Sequence, residues 1–310
     1  MRVHESVSII IPCRNQGLFL RESIKSSLAQ TYRASEILVV DDGSTDDTAD
    51  AARSFRGVRC LRQHNRGLAA ARNRGLAATN GNYVLFLDAD DRLLPNALED
   101  GMKLLSKNPE CAFAYGHVRL IAGDGSPLPT PQQSAVERDH YLELLRRNYI
   151  WTEGAVLYRR SVLASLGGFN ESIGGSADFD LNARIARQFR ICCTNTHTLE
   201  YRRHSESMSR DYAVMLRSAV LARRLQAEFA IGNPLLEEAL RSGIRVAQFD
   251  YGEKLIACTR SWLGEGRWHE AIAGMVTLLR FYPQGFTRRV YNRLCYTLLS
   301  THSRSVGGDK

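Results

Sequence analysis

The sequence predicts an α/β protein with a mainly parallel sheet flanked by helices, followed by a C-terminal helical appendage. Three observations predict it. Over residues 1–115, short β-branched apolar runs alternate with amphipathic stretches, as a sheet covered on both faces requires. Polar clusters follow directly on those runs: Cys13-Arg14-Asn15, Asp41-Asp42-Gly43-Ser44 and Asp88-Ala89-Asp90-Asp91. Beyond about Tyr212 the strand-like runs cease and helical sequence with basic faces takes over.

Taken in order, Val7-Ser8-Ile9-Ile10-Ile11 reads as a buried strand stopped by Pro12, which lacks a backbone N–H. Leu20, Ile24 and Leu28 recur every fourth residue and predict a helix. Ile37-Leu38-Val39-Val40 is the second strand, and residues 58–61 are a weaker third. Residues 68–78 are Ala-rich and helical, and the Asn80-Gly81-Asn82 turn leads into a strand over residues 83–87. Residues 123–134 carry Gly, Pro, Ser and Thr without periodicity, which marks a loop over the site or a subdomain junction. A helix over residues 141–145 and a strand, Ala155-Val156-Leu157-Tyr158, come next. Gly167-Gly168-Phe169 and Gly174-Gly175-Ser176 are flexible elements leading into a helix with an apolar stripe of Leu181, Ile185 and Phe189. In the tail, Trp268, Ala271, Ile272, Met275, Val276 and Leu279 follow the i, i+3, i+4, i+7 rule of a helix buried on one face. Residues 263–271 are like one helical-hairpin repeat, and a single unit makes no array.

The chain has 310 residues, 44% hydrophobic and 24% charged, which is the composition of an ordinary globular protein. Seven cysteines are odd in number and scattered apart from the adjacent Cys192-Cys193, a poor geometry for a bridge or a zinc site, so a reducing compartment is expected. Arg2, His4 and Glu5 precede an apolar run too short for a secretory signal, and no apolar run approaches the ~20 residues that cross a bilayer. The expectation is a cytoplasmic chain, soluble or held peripherally at the cytoplasmic face of the membrane. A net charge of +8 suits anionic lipid or a phosphorylated substrate, but basic and aromatic residues are not interleaved densely enough to favour nucleic acid.

In open α/β sheets, ligands bind at the edge formed by the strands' C-terminal ends, where all three polar clusters fall. Mg²⁺ or Mn²⁺ takes one or two carboxylates and keeps positions for phosphate oxygens and water. Asp88 and Asp90 share a side if the segment stays extended, and so can hold a ribose and a metal. The rival reading is an Asp-rich turn whose Asp91 caps a following helix. Asp41 or Asp42 can read a nucleobase or ribose, or the run can be a turn capped by Ser44, Thr45 or Asp46. Asp178, after its glycine-rich loop, can take a proton from an acceptor hydroxyl, or it can cap its helix with Asp180. His204 can complete a metal site or contact phosphate, or be structural. No Gly-x-Gly-x-x-Gly follows the first strand, and neither a P-loop nor a Gly-x-Ser-x-Gly elbow occurs. Nicotinamide, P-loop and serine-hydrolase chemistry are thereby disfavoured.

The ordered series Val7 through Asn15, Val40-Asp41-Asp42-Gly43-Ser44-Thr45-Asp46, Asn65-Arg66-Gly67-Leu68-Ala69-Ala70-Ala71-Arg72-Asn73, Leu87-Asp88-Ala89-Asp90-Asp91, Gly168-Phe169-Asn170-Glu171 and Asp178-Phe179-Asp180-Leu181 resembles the inverting glycosyltransferase family 2, whose members have the GT-A fold, a Rossmann-like sheet. The resemblance implies transfer of a sugar from a nucleotide-diphosphate donor, a UDP-sugar first, to a hydroxyl. The implied acceptor is a glycan or lipid-linked saccharide of cell-surface polysaccharide synthesis. It places Pro12, Arg14, Asn15 and Asp42, with Asp41 as an alternative, around base and ribose, and Arg72 near the donor. Asp88 would contact ribose or sugar, Asp90 would ligate Mn²⁺ or Mg²⁺ with His204 nearby, and Asp178 would be the catalytic base. Two positions depart from the family pattern: Ala177 where most relatives have Glu, which bears on the acceptor, and Arg14 where Tyr is more frequent, which bears on the donor.

The expected organisation is a glycosyltransferase domain over residues 1–210, with a nucleotide-binding half 1–115 and an acceptor-side half 116–210, and a helical region over 211–310. The basic amphipathic tail is expected to pack on the catalytic part; docking on an anionic membrane, where lipid-linked acceptors lie, and assembly into an oligomer are its alternatives. The rival function is a catalytically degraded scaffold that binds a nucleotide sugar or glycan, which Ala177 encourages. A nucleotidyltransferase would need a Gly-rich phosphate loop where this chain has Cys13-Arg14-Asn15-Gln16-Gly17.

Overall fold

The computed structural model describes residues 5–287. It is an α/β fold: β1 (Val7–Cys13), α1 (Gly17–Leu28), β2 (Glu36–Asp41), α2 (Thr48–Arg53), β3 (Val58–Arg62), α3 (Leu68–Ala77) and β4 (Tyr83–Phe86) make the first part. Then come β5 (Arg92–Leu93), α4 (Ala97–Lys107), β6 (Cys111–Ala122), β7 (Pro127–Leu128), α5 (His140–Arg146), β8 (Val156–Arg159), α6 (Arg160–Ser165), α7 (Ala177–Ala186) and β9 (Arg190–Arg203). The helices α8 (Tyr212–Arg224), α9 (Ala227–Ala230), α10 (Pro234–Gly264) and α11 (Trp268–Phe281) follow. Among the described residues the strands form one sheet in the order β3-β2-β1-β4-β8-β6-β9-β5, with β7 paired to β6. The β3-β2-β1-β4 half is parallel throughout, and antiparallel β8 joins it to the β6–β9 parallel pair.

Alternation along the central strands builds a core on each face. Val7, Ile9, Ile11 and Cys13 of β1 pack with Leu20 and Ile24 of α1, whereas Ile10 packs with Ala69 and Ala71 of α3 on the other side. In β2, Ile37 and Val39 join the first core and Leu38 and Val40 the second. Pro12 does not stop β1, which runs on to Cys13 with Pro12 opposite Val40. Its missing N–H would face β4, whose pairing has already ended at Ile10–Phe86, so no ladder bond is lost.

Some local expectations give way. Leu28 ends α1 half-exposed rather than in the core, and α7 ends at Ala186, before Phe189. The loop over residues 123–134 contains the short strand β7. No helix starts beside Asp91: β5 comes next and α4 begins only at Ala97, so Asp91 is not a cap. In α2, no hydrogen bond comes from the N-cap Asp47; Asp46 accepts from the Thr48 N–H (3.1 Å). Of the stripe named for the last helix, Trp268, Ile272, Val276 and Leu279 are exposed and Met275 is half-buried; only Ala271 is buried, and with Gly274, Leu278 and Phe281 it faces α10 and α8. Among the described residues no helix is long and apolar enough to cross a membrane. Cys295 lies outside the described residues, and the six cysteines within them are free thiols.

Candidate active site

The parallel strands β1, β2 and β4 end along one edge, and the cleft above it has a volume of about 700 Å³. Pro12, Arg14, Asp42, Arg72, Asp88 and Asp90 line it together with Asp178, and Arg223 and Tyr251 line it close to Asp178.

Where β1 and β2 end, two loops are tied together. Asn15 takes a left-handed conformation (φ 53°), which asparagine tolerates; its N–H donates to Ser44 Oγ (3.0 Å) and its Oδ1 accepts the Thr45 N–H (2.8 Å). Asp41 is buried, and its Oδ1 accepts the Ser44 N–H (2.8 Å). Neither side chain lines the cleft, so of the adjacent carboxylates only Asp42 is presented to a ligand. Asp42 accepts hydrogen bonds from Gln63 Nε2, Arg66 N–H and Gly67 N–H, each at 2.8 Å. Gly67, at φ 90°, opens α3, so Asp42 fixes the start of the helix that carries Arg72.

Arg72 is buried, pairs with Asp88 Oδ1 at 2.7 Å and lies 5.2 Å from the Phe169 ring centre. Asp88 Oδ2 also accepts from Thr152 Oγ1 (3.3 Å). The segment does not stay extended: the Asp91 N–H turns back to the Asp88 carbonyl (3.1 Å), and the carboxylates diverge to separate partners. Asp90 Oδ2 lies 3.0 Å from His204 Nε2, which the long strand β9 delivers from the far side of the sheet. Burial, with Asp88 nearby, raises Asp90 above the ordinary carboxylate range. Asp91 is buried deeper, and its Oδ1 accepts the Arg202 N–H (2.9 Å). Burial, then Asp90 and Asp88, hold it well above its usual value, and its bond to the Arg202 N–H makes it an anchor for β9. Arg202 braces the turn beneath, donating to the Asp90 carbonyl (2.7 Å) and pairing with Glu22 (2.6 Å).

Among the described residues no group of three or more His, Cys, Asp or Glu side chains closes on a metal-sized point. Asp90 and His204 nevertheless suit an octahedral cation, because their 3.0 Å separation matches the edge of an octahedron with bonds of about 2.1 Å. Two protein ligands leave the remaining positions to phosphate oxygens and water, as Mg²⁺ and Mn²⁺ prefer.

Asp178 opens α7, and its Oδ1 accepts the Phe179 N–H (2.7 Å). Burial raises its pKa, with Arg72 and that N–H opposing the rise. Asp180 belongs to no site: buried, it pairs with Arg184 (2.8 Å), whose other nitrogens donate to the Leu166 and Gly168 carbonyls. Ala177 is buried at the cleft wall. The sequence reading passes over Glu153, Arg223 and Tyr251. Glu153 sits fully buried behind the wall with Tyr158 and Asn182, and Arg223 and Tyr251 come from α8 and α10. An Arg223-Arg224 pair in a helix reads as a solvated basic face, and only its placement distinguishes it.

Known proteins place this architecture. The Escherichia coli (strain K12) "Uncharacterized glycosyltransferase YibD" is 30% identical over 233 residues, covering 68% of this chain and 65% of the relative, so the match spans slightly less than two thirds of that protein. The S. aureus TarS 1-349 structure in complex with UDP-GlcNAc superposes with a TM-score of 0.55 at 19% identity over 90% of this chain and 92% of that one. The mannosyltransferase PcManGT from Pyrobaculum calidifontis, in complex with GDP-Man and Mn²⁺, gives 0.55 at 20% identity over 90% and 87%. The model of "Glycosyl transferase family 2" matches residues 8–167, just over half of the chain. Its sheet, its helices and that match agree: the chain belongs to glycosyltransferase family 2 and has the GT-A fold.

Proposed function

We propose that this glycosyltransferase is an inverting, metal-dependent hexosyltransferase that moves a sugar from a UDP-sugar to a hydroxyl of a glycan or lipid-linked saccharide in cell-surface polysaccharide synthesis. The observation that carries the reading is the set of carboxylates lining one cleft, Asp42, Asp88, Asp90 and Asp178, with His204 paired to Asp90. The complexes of the related structures with UDP-GlcNAc, or with GDP-Man and Mn²⁺, support donor and metal classes of this kind. On that reading residues 1–210 are the transferase part, 1–115 on the donor side and 116–210 on the acceptor side, and the helical part begins at residue 211; of its expected span to 310, residues 288–310 lie outside the described ones.

In this reading Pro12, Arg14 and Asp42 hold base and ribose, with Asn15 and Asp41 shaping the loops behind them. Asp88, oriented by Arg72 and Thr152, contacts ribose or sugar. Asp90 and His204 would hold Mn²⁺ or Mg²⁺, which stabilises the charge of the departing diphosphate. Asp178 removes the proton of the acceptor hydroxyl as that oxygen bonds to the anomeric carbon. The carbon–oxygen bond to the diphosphate breaks on the opposite side and its electron pair leaves with the nucleoside diphosphate, so the anomeric configuration inverts. Burial at Asp178 suits a base: a carboxylate less acidic than one in water has more to gain from the proton.

Asp178→Asn tests this reading. With a UDP-sugar and Mn²⁺, transfer is expected to fall by about 10²–10⁴-fold while UDP affinity by calorimetry stays within about twofold, since a general base acts in the transition state. Equal transfer rates in wild type and variant would remove Asp178 from the mechanism.

A further inference from the structure

Buried and partly buried guanidinium groups in this fold are paired with carboxylates or carbonyls; Arg72 and Arg223 each keep a buried Nε without a partner, and of those two only Arg223 also lacks a carboxylate among the described residues. Arg72 has Asp88, Arg184 has Asp180 and two carbonyls, and Arg202 has Glu22 and the Asp90 and Gly123 carbonyls. Arg160 donates to the Leu76 and Gly81 carbonyls and to Thr79. Arg223, 5% exposed, donates to the Ala219 carbonyl (3.2 Å) alone; its Nε is buried without a partner and no carboxylate lies within 4.0 Å among the described residues.

Arg223 lies close to Asp178. The guanidinium carbon lies 4.2 Å from the ring centre of Phe179, the residue after Asp178, so one face is covered by an aromatic ring while the side chain lines the cleft. Tyr251 of α10 also lines the cleft close to Asp178. Burial pulls the Arg223 pKa down to about 10, which leaves it charged at neutral pH, and a buried charge without a partner is costly. A planar fork with one face stacked and a single hydrogen bond, to the Ala219 carbonyl, matches a phosphate group.

We propose that α8 and α10 complete an acceptor subsite in which Arg223, with Tyr251 beside it, binds a phosphate ester on the acceptor while Asp178 faces the reacting hydroxyl. The proposal rests on the glycosyl-transfer reading above and narrows its acceptor to a phosphorylated saccharide. It assigns the C-terminal helices a direct part in acceptor choice.

The test uses the full chain saturated with UDP and Mn²⁺, into which glycerol 3-phosphate and glycerol are titrated separately by ligand-observed NMR. Glycerol 3-phosphate is expected to bind at least about tenfold more tightly than glycerol. Arg223→Gln is expected to abolish that preference with UDP affinity held within about twofold, and Arg223→Lys to retain part of it, because a lysine keeps the charge but loses the fork. Vesicles of phosphatidylglycerol that displace the probe where phosphatidylcholine vesicles do not would assign the phosphate to a lipid-linked acceptor; no displacement by either would assign it to a free saccharide phosphate. Equal binding of the two probes by wild type, an unchanged preference in a folded Arg223→Gln protein, or probe binding that saturating UDP abolishes would each overturn the proposal. The wild-type comparison decides by itself should that variant not fold. Failure of UDP to bind wild type with Mn²⁺ would instead refute the donor-site reading.

Discussion

Glu153 illustrates how far the fold alone can set a charge state. Its carboxyl is fully buried and bonds to the Tyr158 hydroxyl, which also bonds to Asn182 Oδ1 (2.7 Å). One O–H cannot donate to two acceptors, so a protonated Glu153 that donates to the Tyr158 oxygen satisfies the trio. Burial, reinforced by Asp178 and Asp88 and opposed by Arg72, pushes its pKa up from 4.5 to about 8. Between those values the folded protein holds a proton that the unfolded chain releases. This stabilising contribution is therefore complete below 4.5 and is lost as pH rises through 8. The slope is about 1.4 kcal/mol per pH unit, and Glu153→Gln should remove it. Urea unfolding from pH 5.5 to 7.5 checks this: parallel stability curves for the two proteins would mean that Glu153 ionises freely. Asp90 makes a separate prediction. Asp90→Ala is expected to weaken UDP binding in Mn²⁺ at least about tenfold and to make it insensitive to chelator, whereas undiminished metal-dependent binding would dismiss Asp90 as a ligand. The polar clusters do fall at one sheet edge, as the sequence predicted, but the sequence could not separate Asp41 from Asp42, because which of two adjacent carboxylates turns inward depends on strand register. Arg223 was invisible for a different reason: a basic helical residue reads as solvated until a partnering surface is known.

At the scale of elements, legibility followed burial. The strands β1, β2 and β4, buried on both faces, show near-continuous apolar runs. The long β6 and β9 are interrupted by Gly116, His117 and Arg119 and by Thr194, Asn195 and Thr196, and β6 carries register shifts against β9, so neither shows a clean period. The helix α11 misled in the opposite way. Trp268, Ile272, Val276 and Leu279 face out, while the small residues Ala271 and Gly274 let it approach α10 closely and Leu278 and Phe281 turn inward. Close approach also explains Gly243 of α10, where an added Cβ would strike the Leu145 carbonyl oxygen of α5 and fall 2.9 Å from Arg223 Nε. Alanine in a helix interior is favoured over glycine by about 0.8–1.0 kcal/mol, but overpacking typically costs about 1–3 kcal/mol. A backbone carbonyl cannot rotate aside, so the collision should win. Gly243→Ala is expected to lower the urea-unfolding free energy by about 1 kcal/mol or more. A gain would show that α10 can lift from α5 without loss.

Across the whole molecule, the question is whether the helical part is an attachment or a wall of the same building. Ala222 of α8 lies in one core cluster with Ile173, Phe179 and Phe169, and α10 packs along α5, so the C-terminal helices share apolar contacts with the sheet's own layer. The cleft crosses that boundary too, lined by Pro12 and Tyr251 alike. Chains of this length often unfold in stages, domain by domain, but separate stages require cores that can open independently. Lifting α8 away would carry off Ala222 and Arg223 and uncover Phe179, the residue next to Asp178. The tryptophans supply probes on both sides: Trp151 packs against the sheet's core, and Trp262 against the cluster of α8, α10 and α11. Single-tryptophan variants keeping only Trp151 or only Trp262 are expected to give coincident urea transitions by fluorescence. A Trp262 transition at clearly lower urea would mean that the wall of α8, α10 and α11 opens while the sheet's core stays folded. Under the proposed reading, Arg223 would then be lost from the site without loss of UDP binding.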